Sequence, residues 1–251
     1  MRFDVVTLFP DLFVPFLTSG VTRRAYESGL VEAKLWNPRD FAAGHYKRVD
    51  DRPFGGGPGM VMQAEPLALC LTAIRITRPP ENNAVVLFSP VGKTLTHSSV
   101  EHWSASQGAV LICGRYEGID QRFIDKYVTH QISLGDFVLS GGEIAAMAML
   151  DAVARLQPGV LNDEGSHQLD SFNPALDGLL DCPHYTRPEN WHGQAVPDVL
   201  MSGNHAHIER WRRDQRLQLT HLHRPELVEK ARVAGQLTAK DEALLARQAS
   251  I

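Results

Sequence analysis

The sequence predicts an α/β fold: a mostly parallel sheet with flanking helices, followed by a small helical domain. Three observations carry this. Residues 1–157 alternate short apolar runs with amphipathic stretches, as strands linked by crossover helices do. Residues 158–173 have neither a helical nor a strand period and read as an interdomain linker. Residues 174–251 begin with a Pro- and aromatic-rich stretch and continue with helical patterns.

In chain order, the strands expected are 3–9, 31–36, 84–88, 109–113 and 131–134, short runs rich in Val, Ile and Leu bounded by Gly, Pro or charge. Between them the spacing predicts helices over 11–28, 66–77, 96–106 and 119–127. A last helix, 143–157, carries Ile144, Met147, Met149, Leu150, Val153 and Leu156 and stops before Pro158-Gly159. Beyond the linker, helices are expected over 205–219, 225–234 and 240–249, the last opened by Thr238 as N-cap with Asp241 reaching back.

Composition bounds the rest. Of 251 residues, 43% are apolar and 22% charged, enough for a sizeable core without staples. The formal net charge of −4 gives no global basic field, so any nucleic-acid binding must use local patches and shape. Cys70, Cys113 and Cys182 are far apart, with no CxxC or Cys/His cluster, so reduced thiols in the cytoplasm are expected rather than disulfides or structural zinc. The first 13 residues hold Asp4 and Asp11 inside their apolar stretch and lack a small-residue cleavage site, unlike a signal peptide, and no run is long and apolar enough to span a membrane.

In open α/β sheets ligands sit beyond the carboxyl ends of strands. Three expected strands run directly into small or Gly-rich loops: VVLFSP (85–90), VLICGRYEG (110–118) and ISLGDFVLSGG (132–142). Glycine lets backbone groups approach a ligand closely, so three such loops in series suit an adenosine-like molecule. No GxGxxG follows the first strand. RPFGGGPGM (52–60) lacks the Lys-Ser/Thr ending of a phosphate loop, and reads as a surface loop or a point of close contact with a ligand or partner chain.

The motifs LFP (8–10), DDRPFGGGPGM (50–60), CGRYEGID (113–120), SLGDFVLSGGE (133–143), DAVARLQPGVL (151–161), DSF (170–172), LLDCPHYTRP (179–188) and LMSGNHAHIERWR (200–212) occur in this order. Together they resemble the bacterial tRNA (guanine-N1)-methyltransferases, members of the knotted SPOUT class, over residues 1–235. The resemblance implies a SPOUT-type sheet with a trefoil knot near the C-terminal end of residues 1–157, S-adenosylmethionine bound in that knot, and a homodimer with shared active sites. The implied substrate is the guanosine immediately 3′ of the anticodon in tRNA. Neither DNA nor a membrane is expected as a partner. A ribosomal-RNA methyltransferase of the same class and a non-catalytic RNA-binding relative are the rival readings.

The resemblance also assigns residues. Asp170 of the DSF segment becomes the base that removes the N1 proton of guanine; read alone, it is a turn or N-cap aspartate. Arg155 becomes the partner of guanine O6, a planar permanent cation; read alone, it complements a helix C-terminus. Cofactor contacts fall on Ser89 and Pro90, on Gly114, Tyr116, Glu117 and Gly118, and on Ser133, Leu134, Gly135, Asp136, Phe137, Val138, Leu139, Gly141 and Gly142. Glu117 is also where Mg2+ would be drawn, though no ligand set for it follows; read alone it anchors its loop. Independently of the resemblance, local charge and helical spacing read Arg210, Arg212, Arg213 and Arg216 as phosphate contacts, or else as a solvated helix face. The histidines around them lack a third ligand type and are not read as a metal site. Two departures stand out: Ala145 where the family usually has Pro, and Phe137 where it usually has Tyr. The segment 162–169 is individual to this chain.

Overall fold

The computed structural model describes residues 1–78, 83–162 and 167–248. The chain divides into two compact units, Met1–Asn162 and Asp163–Ile251. The division falls inside the stretch 158–173 expected to be a linker, of which residues 163–166 lie outside those described.

The first unit is built on a five-stranded sheet, β1 (Arg2–Val6), β2 (Glu32–Trp36), β5 (Val85–Thr94), β6 (Val110–Ile112) and β7 (His130–Ser133), in spatial order β2-β1-β6-β5-β7. Every pairing in it is parallel, with Asp4, Val5 and Val6 opposite Val110, Leu111 and Ile112. Parallel sheets need cover on both faces, and the two-residue alternation supplies it. Phe3, Val5, Val86, Phe88 and Leu111 enter one core with residues of α1 (Phe13–Thr18), α2 (Arg23–Glu27), α4 (His97–Ser104) and α6 (Glu143–Ala154). Val6, Val85, Leu87, Val110 and Ile112 enter the other, with residues of α3 (Ala64–Ile76) and α5 (Gln121–Tyr127). Each large side chain so buried is worth about 1.5–3 kcal/mol. Asp4, fully buried in β1, is satisfied by Arg2, Arg78 and Trp36 at 2.5–2.7 Å.

Three expectations change. The helix read over 11–28 is a 3₁₀ turn and two short helices, because Ser19 is extended and Gly20 takes φ +74°. The strand expected to end at 88 continues to Thr94, and Ile132 faces both Phe88 and Lys93. A strand residue has two edges, so two stretches of β5 flank β7. The link between them crosses the β7 backbone so closely that a Cβ on Gly92 would stand 2.5 Å from Ile132 N. The last helix of the unit ends at Ala154, not 157. A two-stranded ribbon, β3 (Asp50–Asp51) and β4 (Val61–Met62), brackets the 52–60 loop and was not anticipated.

In the second unit, α8 (His205–His223), α9 (Pro225–Val233) and α10 (Ala239–Gln248) enclose Leu179, Leu217, Val228, Ala231 and Leu245. A ribbon, β8 (Asn190–Trp191) and β9 (Gln194–Ala195), and the single turn α7 (Asp198–Met201) precede them. The Thr238/Asp241 capping box forms, with reciprocal bonds of 2.9 and 3.3 Å. Ala249, the expected end of the last helix, lies outside the described residues. No helix among the described residues is long and apolar enough to cross a membrane.

Candidate active site

The middle of β5 and the carboxyl ends of β6 and β7 open into one cleft of about 520 Å³ in the first unit. Ser89 and Pro90, of the first segment, line it from within β5 where the pairing with β7 shifts after Phe88, and Gly114, Tyr116, Glu117 and Gly118 line it from the second, the loop after β6. Ser133, Leu134, Gly135, Phe137, Val138, Leu139, Gly141 and Gly142 line it from the third. Asp136 is the exception: it is exposed and outside the lining, because the turn after Gly135 directs it away. The sequence reading passed over Arg115, Val91 and Ser140, which also line the cleft. Arg115 lies within GRYEG itself, so a charged residue between two selected glycines was the available signal.

The backbone comes close for a reason. A Cβ on Gly142 would lie 2.8 Å from Cys113 Cα, and Gly142 N–H donates to Gly114 O at 3.0 Å. Tyr116 takes φ +59°, turning the second loop back on itself. The 52–60 loop braces this turn. Glu117 N–H donates to Met60 O and Met62 N–H to Gly118 O, both at 2.9 Å. A Cβ on Gly59 would stand 2.5 Å from Glu117 Oε1. The glycine-rich loop, read from sequence as a surface loop or a contact with a ligand or partner chain, thus packs against Glu117 of its own chain. Ala145 is buried in the first turn of α6, which forms without the expected proline, and Phe137 lies exposed at the cleft rim.

Glu143 starts α6 at 1% exposure, and its Oε1 accepts the Thr7 hydroxyl at 2.9 Å. Its Oε2 stands 2.9 Å from Arg115 Nε, close enough for an ion pair, but neither atom has an aligned hydrogen bond. Burial, then the Glu143 carboxylate, pushes the Cys113 thiol well above the ordinary range, so Cys113 is no nucleophile here.

Arg155 is the half-buried C-cap of α6, the helix-terminal place read for it from sequence alone. Asp170 is half-buried in a turn of the second unit. Capping in DSFNP falls to Asn173, whose side chain accepts Ala175 N–H at 2.9 Å. The DSF turn is tied to LLDCPHYTRP: Phe172 N–H donates to Leu179 O and Asp181 N–H to Ser171 Oγ, each at 2.9 Å.

The four arginines expected on α8 all lie beside carboxylates. Arg216 is buried and its Nε is 3.5 Å from Asp181. Arg213 reaches Asp177 at 2.5 Å and Asp241 at 3.2 Å. Arg210 holds Asp214 and, at 3.0 Å, Asp241. The helix carries these cations toward its own unit's carboxylates, and Arg212, paired with Glu209 at 2.7 Å, is the most exposed of the four. Asp181, Cys182 and His184 bring potential ligand atoms within 4.8 Å of one another. His184 Nε2 already lies 2.8 Å from Asp181 Oδ2, and Arg216 adds a positive charge that opposes a metal.

Comparison with known proteins adds the following. A family model described as tRNA (Guanine-1)-methyltransferase TrmD matches residues 1–230. A tRNA (guanine-N(1)-)-methyltransferase of Polaromonas sp. is 76% identical over 249 residues, covering 98% of this chain and 96% of its own. Those of Albidiferax ferrireducens and Paracidovorax citrulli are 73% and 71% identical, covering 99% and 98% of this chain and 100% and 98% of their own.

Proposed function

The chain belongs to the tRNA (guanine-1)-methyltransferase family, and from that premise we propose that it moves the methyl group of S-adenosylmethionine to N1 of the guanosine immediately 3′ of the anticodon. The observation that carries the cofactor reading is the cleft. Its volume suits a nucleoside-sized ligand, its walls combine five glycines with apolar side chains such as Leu87, Ile132, Leu134 and Leu139, and a Cβ on Gly141 or Gly142 would collide with Arg115 or the Cys113 backbone, so the loops can close this tightly only with glycine there. Ser89, the 114–118 loop and the 133–142 loop would hold the cofactor, which supplies an electrophilic methyl on a sulfonium. Two chain crossings, Gly92 over Ile132 and Gly142 over Cys113, support a trefoil knot around this site.

Guanine N1 carries a proton at neutral pH and is a poor nucleophile. Asp170 accepts that proton, a contribution of about 10²–10⁴ in rate for a positioned base. Arg155 balances the charge that grows on O6 and needs no titration to do so. Arg212 meets the tRNA backbone, Arg210, Arg213 and Arg216 shape the unit that presents it, the active species is a homodimer, and the compartment is the cytoplasm.

The test uses labelled S-adenosylmethionine, a tRNA with guanosine 3′ of the anticodon, and the same tRNA with that base replaced. Label should enter only the first. Asp170→Asn should lower turnover at least about 10²-fold with cofactor affinity, read by calorimetry, unchanged. Near-wild-type turnover of Asp170→Asn would remove the assignment.

A further inference from the structure

The charged contact at the end of the cleft has no part in the proposed chemistry, yet three loops meet on it. A carboxylate as buried as Glu143 is costly unless paired. One partner is Thr7, just past β1, whose hydroxyl donates to Glu143 Oε1 at 2.9 Å and accepts Phe9 N–H at 3.0 Å. The other is Arg115 of the second cofactor loop, 2.9 Å from Oε2. Arg115 extends further: Nη1 donates to Ser140 O at 3.2 Å, and the guanidinium lies 4.5 Å over the Phe9 ring. Only glycine fits above the pair, since a Cβ on Gly141 would stand 2.3 Å from Arg115 Nε and 2.6 Å from Glu143 Oε2. A buried ion pair adds little net stability over apolar packing, and its best-attested value is in fixing one arrangement of chain.

We propose that Glu143 and Arg115 are positioning residues: together they latch the 114–118 loop to the 140–142 loop, with Thr7 and the ring of Phe9 as the third attachment, and so set the opening that admits the S-adenosyl ligand. The inference rests on the cofactor reading above. It gives LFP and the terminal glutamate of SLGDFVLSGGE a shared task. Glutamate suits the place doubly, because it also faces the N-terminus of the 12-residue α6.

Calorimetric titration of the full chain with S-adenosylmethionine tests it, and wild type is measured first: if wild type does not bind, the cofactor reading fails rather than the latch. Glu143→Gln keeps the shape and removes the charge. Its cofactor Kd and KM should rise about tenfold or more, with kcat at saturation and KM for tRNA within about twofold. Arg115→Met should do the same, Arg115→Lys should recover part of the loss, and the double variant should be no worse than Arg115→Met alone. An unchanged Kd in a folded Glu143→Gln, or losses that add in the double variant, would overturn the proposal. If Glu143→Gln does not fold, the Arg115 pair of variants decides, because that side chain is 18% exposed and outside the core.

Discussion

Asp241 is the residue on which the second unit turns. It is fully buried, holds Arg210 and Arg213, and caps Thr238 N–H. Burial pushes its carboxyl up, but the Thr238 and Arg213 contacts outweigh that and leave it below the usual range. A depressed folded pKa means the stabilisation is present above the unfolded value, near 3.9, and is lost as pH falls through the folded one. Asp241→Asn should therefore lower the unfolding temperature of this unit at pH 7, at a cost on the order of 2 kcal/mol, and flatten its loss of stability below about pH 4. Circular dichroism melts at several pH values read both effects. At the same scale, residues differ in how far sequence reveals them. Gly141 and Gly142 announce a close approach by lacking a side chain. Glu143 beside them announces nothing, because its partners Thr7 and Arg115 are 136 and 28 residues away, and only the folded sheet brings them to it.

Helix α8 shows what an element's period can and cannot tell. Helical spacing places Arg212 and Arg216 one turn apart, yet the first is 41% exposed at the side chain and the second 9%. The face a residue occupies depends on what packs against the helix, here Asp181 from LLDCPHYTRP. The two arginines should separate in experiment. Arg212→Ala should weaken tRNA binding and reduce the slope of log affinity against log salt by about 0.7–0.9, with melting unchanged. Arg216→Ala should act first on stability, since it leaves the half-buried Asp181 without its cation. Filter binding across a salt series and thermal melts distinguish them. The stretch 11–28 teaches the converse lesson: its apolar residues keep a helical rhythm, but Ser19-Gly20 breaks the backbone and permits two short helices over one face of the sheet.

At the scale of the whole molecule, two units with separate cores should unfold in two calorimetric transitions. Gly92→Ala probes the larger one. The new Cβ meets the Ile132 backbone, which cannot step aside as a side chain could. A cost of about 3 kcal/mol should lower that transition by roughly 6–12 °C and weaken cofactor binding with it, leaving the smaller transition in place. By itself the sequence determined the parallel α/β class, the order of the main-sheet strands and the three cleft-lining segments, because apolar period and glycine placement are local, while its ordered motifs carried the resemblance to the family. The crossing of β5 over β7, the inward turn of the α8 arginines and the Glu143–Arg115 contact were decided by tertiary structure alone. Each depends on which distant segments share a space, and that is a property of the packed chain rather than of any window along it.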